Sequence, residues 1–296
     1  MTPTRRRFLS ISAAALALPG AALATAQTAR WTGGALGAPA SVTLVGISPI
    51  DARPVFARLE AELARLERIF SLYRAESALV RLNQTGRLTN PPPELLELLT
   101  LAGTIHNATN GAFDPTVQPL WQALATGGDV TAASNNVGWE SLHFDAKEVR
   151  FARPGMALTL NGIAQGEITD RIAALLGDEG FGDILVDLGE IVGRGQRPDG
   201  TPWQAGIATP QGDIVHRVTL RDRALATSAP NGTRLSAVQG HILGPQGQAP
   251  RHSLVSLSAP SAALADGLST ALCLLEKQAA QAAVRRFAGA TIETIA

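Results

Sequence analysis

Apolar residues recur at spacings of three and four from Ile50 to Phe70, through Val55, Leu59, Leu63 and Leu66, and that period predicts a long helix with one buried face. A second helix is announced by Pro91-Pro92-Pro93, carries Leu95, Leu96, Leu98, Leu99, Leu101 and Ile105, and stops around Asn110-Gly111. Ser41 to Val45 reads as a strand after a small, Gly-rich stretch over 27–40. Between Leu142 and Leu160 the pattern shortens to alternating pieces: Leu142 to Phe144, Val149 to Phe151 and Ala157 to Leu160. Broken by Asp145-Ala146 and Pro154-Gly155, they predict strands joined by tight turns. A helix over Gln165 to Leu176 follows, then strands at Ile184 to Val186, Gln204 to Ile207, Val215 to Leu220 and Leu254 to Leu257. A helix from Ser261 through Leu275, a helical stretch toward Phe287 and a last strand complete the chain. Helices and strands interleave without a regular βαβ rhythm, so the expected class is α+β, with largely antiparallel sheets and packed helices.

Composition adds a size and a destination. With 296 residues, 45% hydrophobic and 17% charged, the chain can bury a large core, as one domain or two intimately packed ones. Thr4-Arg5-Arg6-Arg7-Phe8-Leu9 precedes an apolar, alanine-rich run from Ile11 to Ala24, and Ala24-Thr25-Ala26 offers small residues to a signal peptidase. The expectation is a twin-arginine export signal over 1–26, a single domain over 27–296, a periplasmic location and no stable membrane anchor after cleavage. Beyond the signal, 22 basic residues face 25 acidic ones, which offers no broad basic surface for phosphate backbones. Nucleic acid is not an expected partner. Cys273, the single cysteine, sits among Ala271, Leu272, Leu274 and Leu275 and reads as a buried, inert thiol.

Four segments could carry chemistry. Gly111-Ala112-Phe113-Asp114-Pro115-Thr116 follows a helix end, and such a loop fixes backbone N–H groups and one carboxylate; it equally fits a capped terminus in which Asp114 bonds its own loop. Asn161-Gly162-Ile163-Ala164-Gln165-Gly166 lies where a strand hands over to a helix, where a phosphate could meet the helix N-terminus; glycines at such corners are also placed by sterics alone. Asp266 and Thr270 share a helical face at i, i+4, a hard oxygen pair suited to magnesium, although Asp266 also fits an ordinary N-terminal helix acid. His241 precedes the turn Gly244-Pro245-Gln246-Gly247 and is a candidate general base. His106, His143, His216 and His252 read as surface or core histidines.

These pieces stand in the order of the ApbE family of FAD:protein FMN transferases, which the chain resembles over roughly residues 31–290. Phe70 to Tyr73, Glu76-Ser77, Leu82-Asn83, Gly111 to Thr116, Gly162 to Asp170, Pro202-Trp203, Ala226 to Ser228, His241 to Gly247 and Ala265 to Leu272 are its collinear blocks. The resemblance implies a T-fold-like core that binds FAD and magnesium and transfers FMN to a threonine or serine of an acceptor protein, releasing AMP. It further implies that Tyr73, Ala112, Phe113, Asp114, Thr159, Gln165 and Ile242 contact FAD, that the Gly162 carbonyl, Asp266 and Thr270 hold magnesium with Ser269 nearby, and that His241 is the base.

Several positions depart from the family pattern. Gln165 replaces an ionisable residue, Thr159 an aspartate, Glu167 a tyrosine and Gly244 an aspartate that could orient His241, while Asp187 and Glu190 fall in a segment usually reading Asn-x-Gly-Gly. The combination of Gly162-Ile163-Ala164-Gln165-Gly166 with Val186-Asp187-Leu188-Gly189-Glu190 is similar to the NosX-type members, whose partner would be a membrane flavoprotein of the NosR kind. FAD pyrophosphate hydrolysis, or flavin binding without catalysis, are the competing expectations.

Overall fold

The computed structural model describes residues 26–209, 212–232 and 240–296. The expected export signal, Ala26 excepted, lies outside the described residues. The chain opens with a hairpin of β1 (Thr28–Ala35) and β2 (Ala38–Val45), and then forms α1 (Arg53–Phe70), α2 (Ala78–Thr85), β3 (Arg87–Thr89) and α3 (Pro93–Ala108). Two short helices, α4 (Gln118–Thr126) and α5 (Val130–Ser134), precede β4 (Leu142–Phe144) and β5 (Glu148–Phe151). Next come α6 (Ala164–Asp178), β6 (Ile184–Asp187), β7 (Ile191–Arg194), β8 (Trp203–Ala208), β9 (Ile214–Leu220) and β10 (Arg223–Ser228). The chain ends with β11 (Val255–Ala259), α7 (Ala262–Leu272), α8 (Lys277–Val284) and β12 (Thr291–Ile295).

Seven strands form one sheet in the order β1-β2-β6-β7-β10-β11-β12, and every pairing in it is antiparallel. Alternation along its strands serves two cores. Ile184 and Val186 of β6 and Ala224 and Ala226 of β10 face the large core beneath α1, α6 and α7. Their neighbours Leu185 and Leu225 point the other way, into a smaller core closed by Trp203, Ile207, Val218 and Leu220 of the β8–β9 hairpin. The class is α+β, as the interleaved pattern predicts. No helix among the described residues is long and apolar enough to cross a membrane.

The long helices form where the period places them, with Val55, Leu59, Leu63, Leu66 and Phe70 all buried along α1. The strand expected over Ala157 to Leu160 does not form, although its burial does alternate. Among the described residues no strand pairs with it. Instead the Asn83 side chain imitates one, donating from Nδ2 to the Leu158 carbonyl (2.8 Å) and accepting the Leu158 N–H at Oδ1 (2.7 Å). The Thr159 N–H donates to the Pro115 carbonyl (2.8 Å), which ties this segment to the loop after α3.

Candidate functional site

A cleft of about 1190 Å³, measured out to its open mouth, has a size that suits a dinucleotide. All eleven site residues expected from sequence line it: Tyr73, Ala112, Phe113, Asp114, Thr159, Gly162, Gln165, His241, Ile242, Asp266 and Thr270.

One wall comes from the N-terminal turn of α6 and the middle of α7. Gly166 lets these helices touch at the backbone, because a Cβ there would lie 2.3 Å from the Ala262 carbonyl oxygen. Asp170 fixes the same junction from α6, its two oxygens accepting the N–H groups of Ala262 (2.8 Å) and Ala263 (2.9 Å) at the start of α7. Asp266 reaches back and accepts the Gly166 N–H at 3.2 Å. Its carboxyl is 4% exposed, and burial lifts it to about 7, helped by the nearby Asp170 and opposed by the Gly166 bond. Thr270 presses on Gly162, where a Cβ would come within 2.9 Å of Thr270 Oγ1. Ser228 links the hydroxyls, 2.8 Å from Ser269 Oγ and 3.3 Å from Thr270 Oγ1. Sequence reasoning treats Glu190 only as a departure. In the structure it lines the same wall at 7% exposure, its carboxyl pushed well up by burial and by the Asp266 charge.

These donors fit magnesium. Among the described residues no lysine or arginine lines the cleft, so an anionic nucleotide there needs a cation held by other means. Among them, too, no group of three or more His, Cys, Asp or Glu side chains forms a closed metal cage. One buried carboxylate, one hydroxyl and a backbone carbonyl leave coordination positions for water and phosphate oxygens, the pattern magnesium prefers.

The opposite wall is built from loops. Tyr73 is 60% exposed at the mouth, with its hydroxyl hydrogen-bonded to the Asn161 side chain. Phe113 is buried, and its carbonyl accepts from His106 Nδ1 (2.8 Å), which gives a histidine read as merely structural the task of holding this loop. Asp114 lines the cleft and bonds its own loop, accepting from the Thr116 N–H (2.9 Å) and Oγ1 (2.6 Å) as the capped-terminus reading expects. His241 is held by its backbone: its N–H donates to the Pro230 carbonyl (3.1 Å) and its carbonyl accepts from Trp121 Nε1 on α4 (3.2 Å). Trp121 lines the cleft and has no sequence signal that would mark it.

The turn after His241 also accounts for the glycine at 244. A Cβ on Gly244 would meet Gln248 Oε1 at 2.2 Å, and that oxygen accepts the Gln246 N–H at 2.9 Å. Gln248 thus fills the space beside residue 244 and caps the turn from the far side.

The sequence profile of the ApbE family matches residues 36–293. The FAD:protein FMN transferase of Klebsiella pneumoniae is 29% identical over 280 residues, covering 82% of this chain and 77% of that protein. The crystal structure of Pseudomonas stutzeri flavinyl transferase ApbE, in its apo form, shares the fold with a TM-score of 0.78 at 28% identity, over 90% of each chain. The flavin transferase ApbE of Vibrio cholerae matches with a TM-score of 0.76 at 26% identity, over 88% of this chain and 91% of that one. A cleft of nucleotide size, a match that runs from β1's hairpin turn to β12, and a shared fold lead to one statement: the chain belongs to the ApbE family.

Proposed function

We propose that this enzyme, a FAD:protein FMN transferase like its relatives, uses magnesium to move FMN from FAD onto a threonine or serine hydroxyl of an acceptor protein, releasing AMP. The observation that carries this reading is a cleft of dinucleotide size lined by a buried carboxylate, several hydroxyls and a histidine, with no lysine or arginine among the described residues. In this reading the Gly162 carbonyl, Asp266 and Thr270 hold the metal, which when bound would offset charge on the pyrophosphate and its leaving group. Tyr73, Ala112, Phe113, Asp114, Thr159, Gln165 and Ile242 contact FAD, and Gln165 contributes hydrogen bonds without charge. His241 takes the proton of the acceptor hydroxyl. That oxygen bonds to the FMN-side phosphorus, the pyrophosphate P–O bond breaks, and AMP leaves with the electron pair. The flavin ring undergoes no redox change.

Export through a twin-arginine signal over 1–26 would put the mature domain, 27–296, in the periplasm. The acceptor we favour is a membrane flavoprotein of the NosR kind. The decisive experiment incubates the purified protein with FAD, magnesium and a candidate acceptor, then reads in-gel flavin fluorescence and the added mass of FMN. An unmodified acceptor with free FMN accumulating would instead establish hydrolysis, and bound but intact FAD would rule out catalysis.

A further inference from the structure

The two edges of the seven-stranded sheet differ. The β12 edge is blunted: its pairing with β11 slips register between Ser256 and Leu257, α8 packs against it, and β9 approaches it. The β1 edge is more open among the described residues: α1 packs against β1 and Trp31 Nε1 donates to Glu60 Oε1 (2.8 Å), but no register slip interrupts it and no further strand covers its outer side. Its eight residues pair with β2 in unbroken register from Thr28↔Val45 to Ala35↔Ala38, and they include no proline and no lysine.

The direction of β1's backbone groups follows from one bond. The Gly46 N–H donates to the Gln27 carbonyl, so this opposed pair is a hydrogen-bonded one. In an antiparallel ladder such pairs alternate, so residues 29, 31, 33 and 35 also turn their groups toward β2. The N–H and C=O groups of Thr28, Arg30, Thr32 and Gly34 therefore point outward, and they make no hydrogen bond to any described residue. The next outward N–H, that of Leu36, is taken by Glu67 Oε1 (2.9 Å). Glu67 also accepts from Arg74, the neighbour of Tyr73 at the cleft mouth. Leu36 and Ala38 themselves line the cleft. A strand edge of roughly 26 Å, at about 3.3 Å per residue, with no strand partner among the described residues, thus runs directly into the candidate active site.

We propose that the outward edge of β1 is the docking strand for an extended segment of the acceptor protein, which adds to the sheet through backbone hydrogen bonds and passes on into the cleft. The inference rests on the transfer reading, since only transfer brings a polypeptide to this site. Pairing through the main chain gives affinity with little demand on sequence, and register along the edge sets which residue of the segment reaches the cleft. Gly34, the last outward position before the cleft, leaves room for the incoming backbone.

The test uses Thr32→Pro. Proline removes one outward N–H and blocks the edge, while the inward bonds to β2 remain; edge strands accept proline at such positions. The full chain and its Thr32→Pro variant are assayed against an acceptor protein that the wild type labels with FMN. The expected result is a rise of about tenfold in acceptor KM, the worth of roughly one hydrogen-bonded pair, with unchanged FAD affinity and thermal midpoint. Hydrogen exchange gives a second readout should the variant fold poorly. On the wild type, the acceptor should slow exchange at Thr28, Arg30, Thr32 and Gly34 and leave residues 29, 31 and 33 as they were. Unchanged KM in a folded variant, or acceptor protection elsewhere only, overturns the proposal. So does a change from dimer to monomer in the variant, which would make a second copy of this chain the occupant. A wild type that labels no acceptor overturns the transfer reading itself.

Discussion

On the side of Asp266 and Thr270 the cleft wall consists of two helices locked together at their backbones, whereas on the side of His241 it is a loop held by the Pro230 backbone carbonyl and by single side chains. The first wall leaves no slack: Gly166 touches Ala262, Asp170 caps α7, and Asp266 closes the junction from within. The second depends on Trp121, on the Pro230 carbonyl and on the Gln248 amide. The contrast separates two demands of phosphoryl chemistry. Groups that face concentrated charge must be preorganised, because their electrostatic benefit is lost when they reorganise. In the proposed reaction, a base that meets a variable polypeptide would tolerate a looser mount.

Breaking the rigid wall should have the largest effects. Asp266→Ala should lower magnesium-dependent transfer by about a thousandfold and abolish magnesium binding in calorimetry, while the fold persists by circular dichroism. His241→Ala should slow transfer by about a hundredfold yet spare FAD affinity, read by flavin fluorescence; equal rates in both variants would undo the division between the walls. Gly166→Ala tests rigidity directly. Its Cβ would enter the Ala262 backbone, so stability should fall by about 1–3 kcal/mol in urea unfolding, and magnesium affinity should fall with it.

Acidity sharpens the same contrast. Burial raises Asp170 and Asp187 to about 6 and Asp266 to about 7, all above the ~3.9 of an unfolded aspartate. The folded protein therefore binds more protons than the unfolded chain between about pH 4 and pH 7, so metal-free stability should fall as pH rises through that window. Magnesium, which favours ionised Asp266, should restore the thermal midpoint most at the upper end. The smallest effect belongs to the loop wall. Trp121→Phe removes one hydrogen bond to the His241 carbonyl and should cut kcat by about fivefold, near 1 kcal/mol, with KM for FAD unchanged.

Sequence legibility follows the same physical divide. Helices α1, α3, α6 and α7 are readable because each is long enough for its period to show, and Asp266 and Thr270 are readable because four residues on a helix make one face. Helix α2 has only eight residues, and its Ser77 cap is a weak signal on its own. Strand β1 hides in a Gly-rich stretch where only Ala29, Trp31 and Ala35 are buried. Strands β7 and β10 are short and largely buried on both faces, so they lack the polar alternation that marks a strand. The alternation at 157–160 is real, but its partner is an amide side chain from 75 residues earlier. Trp121 and Glu190 join the cleft only through tertiary contacts, which no local pattern encodes.

A cleft with no lysine or arginine among its described lining residues has a thermodynamic consequence for the proposed reaction. Where lysine or arginine would attract a nucleotide unconditionally, in the proposed mechanism the nucleotide and the metal each supply what the other lacks. Their affinities are then linked, and each ligand tightens the other by the same factor. FAD measured without magnesium should bind weakly, magnesium measured without FAD equally so, and the enzyme's saturation should follow the product of the two concentrations rather than either alone.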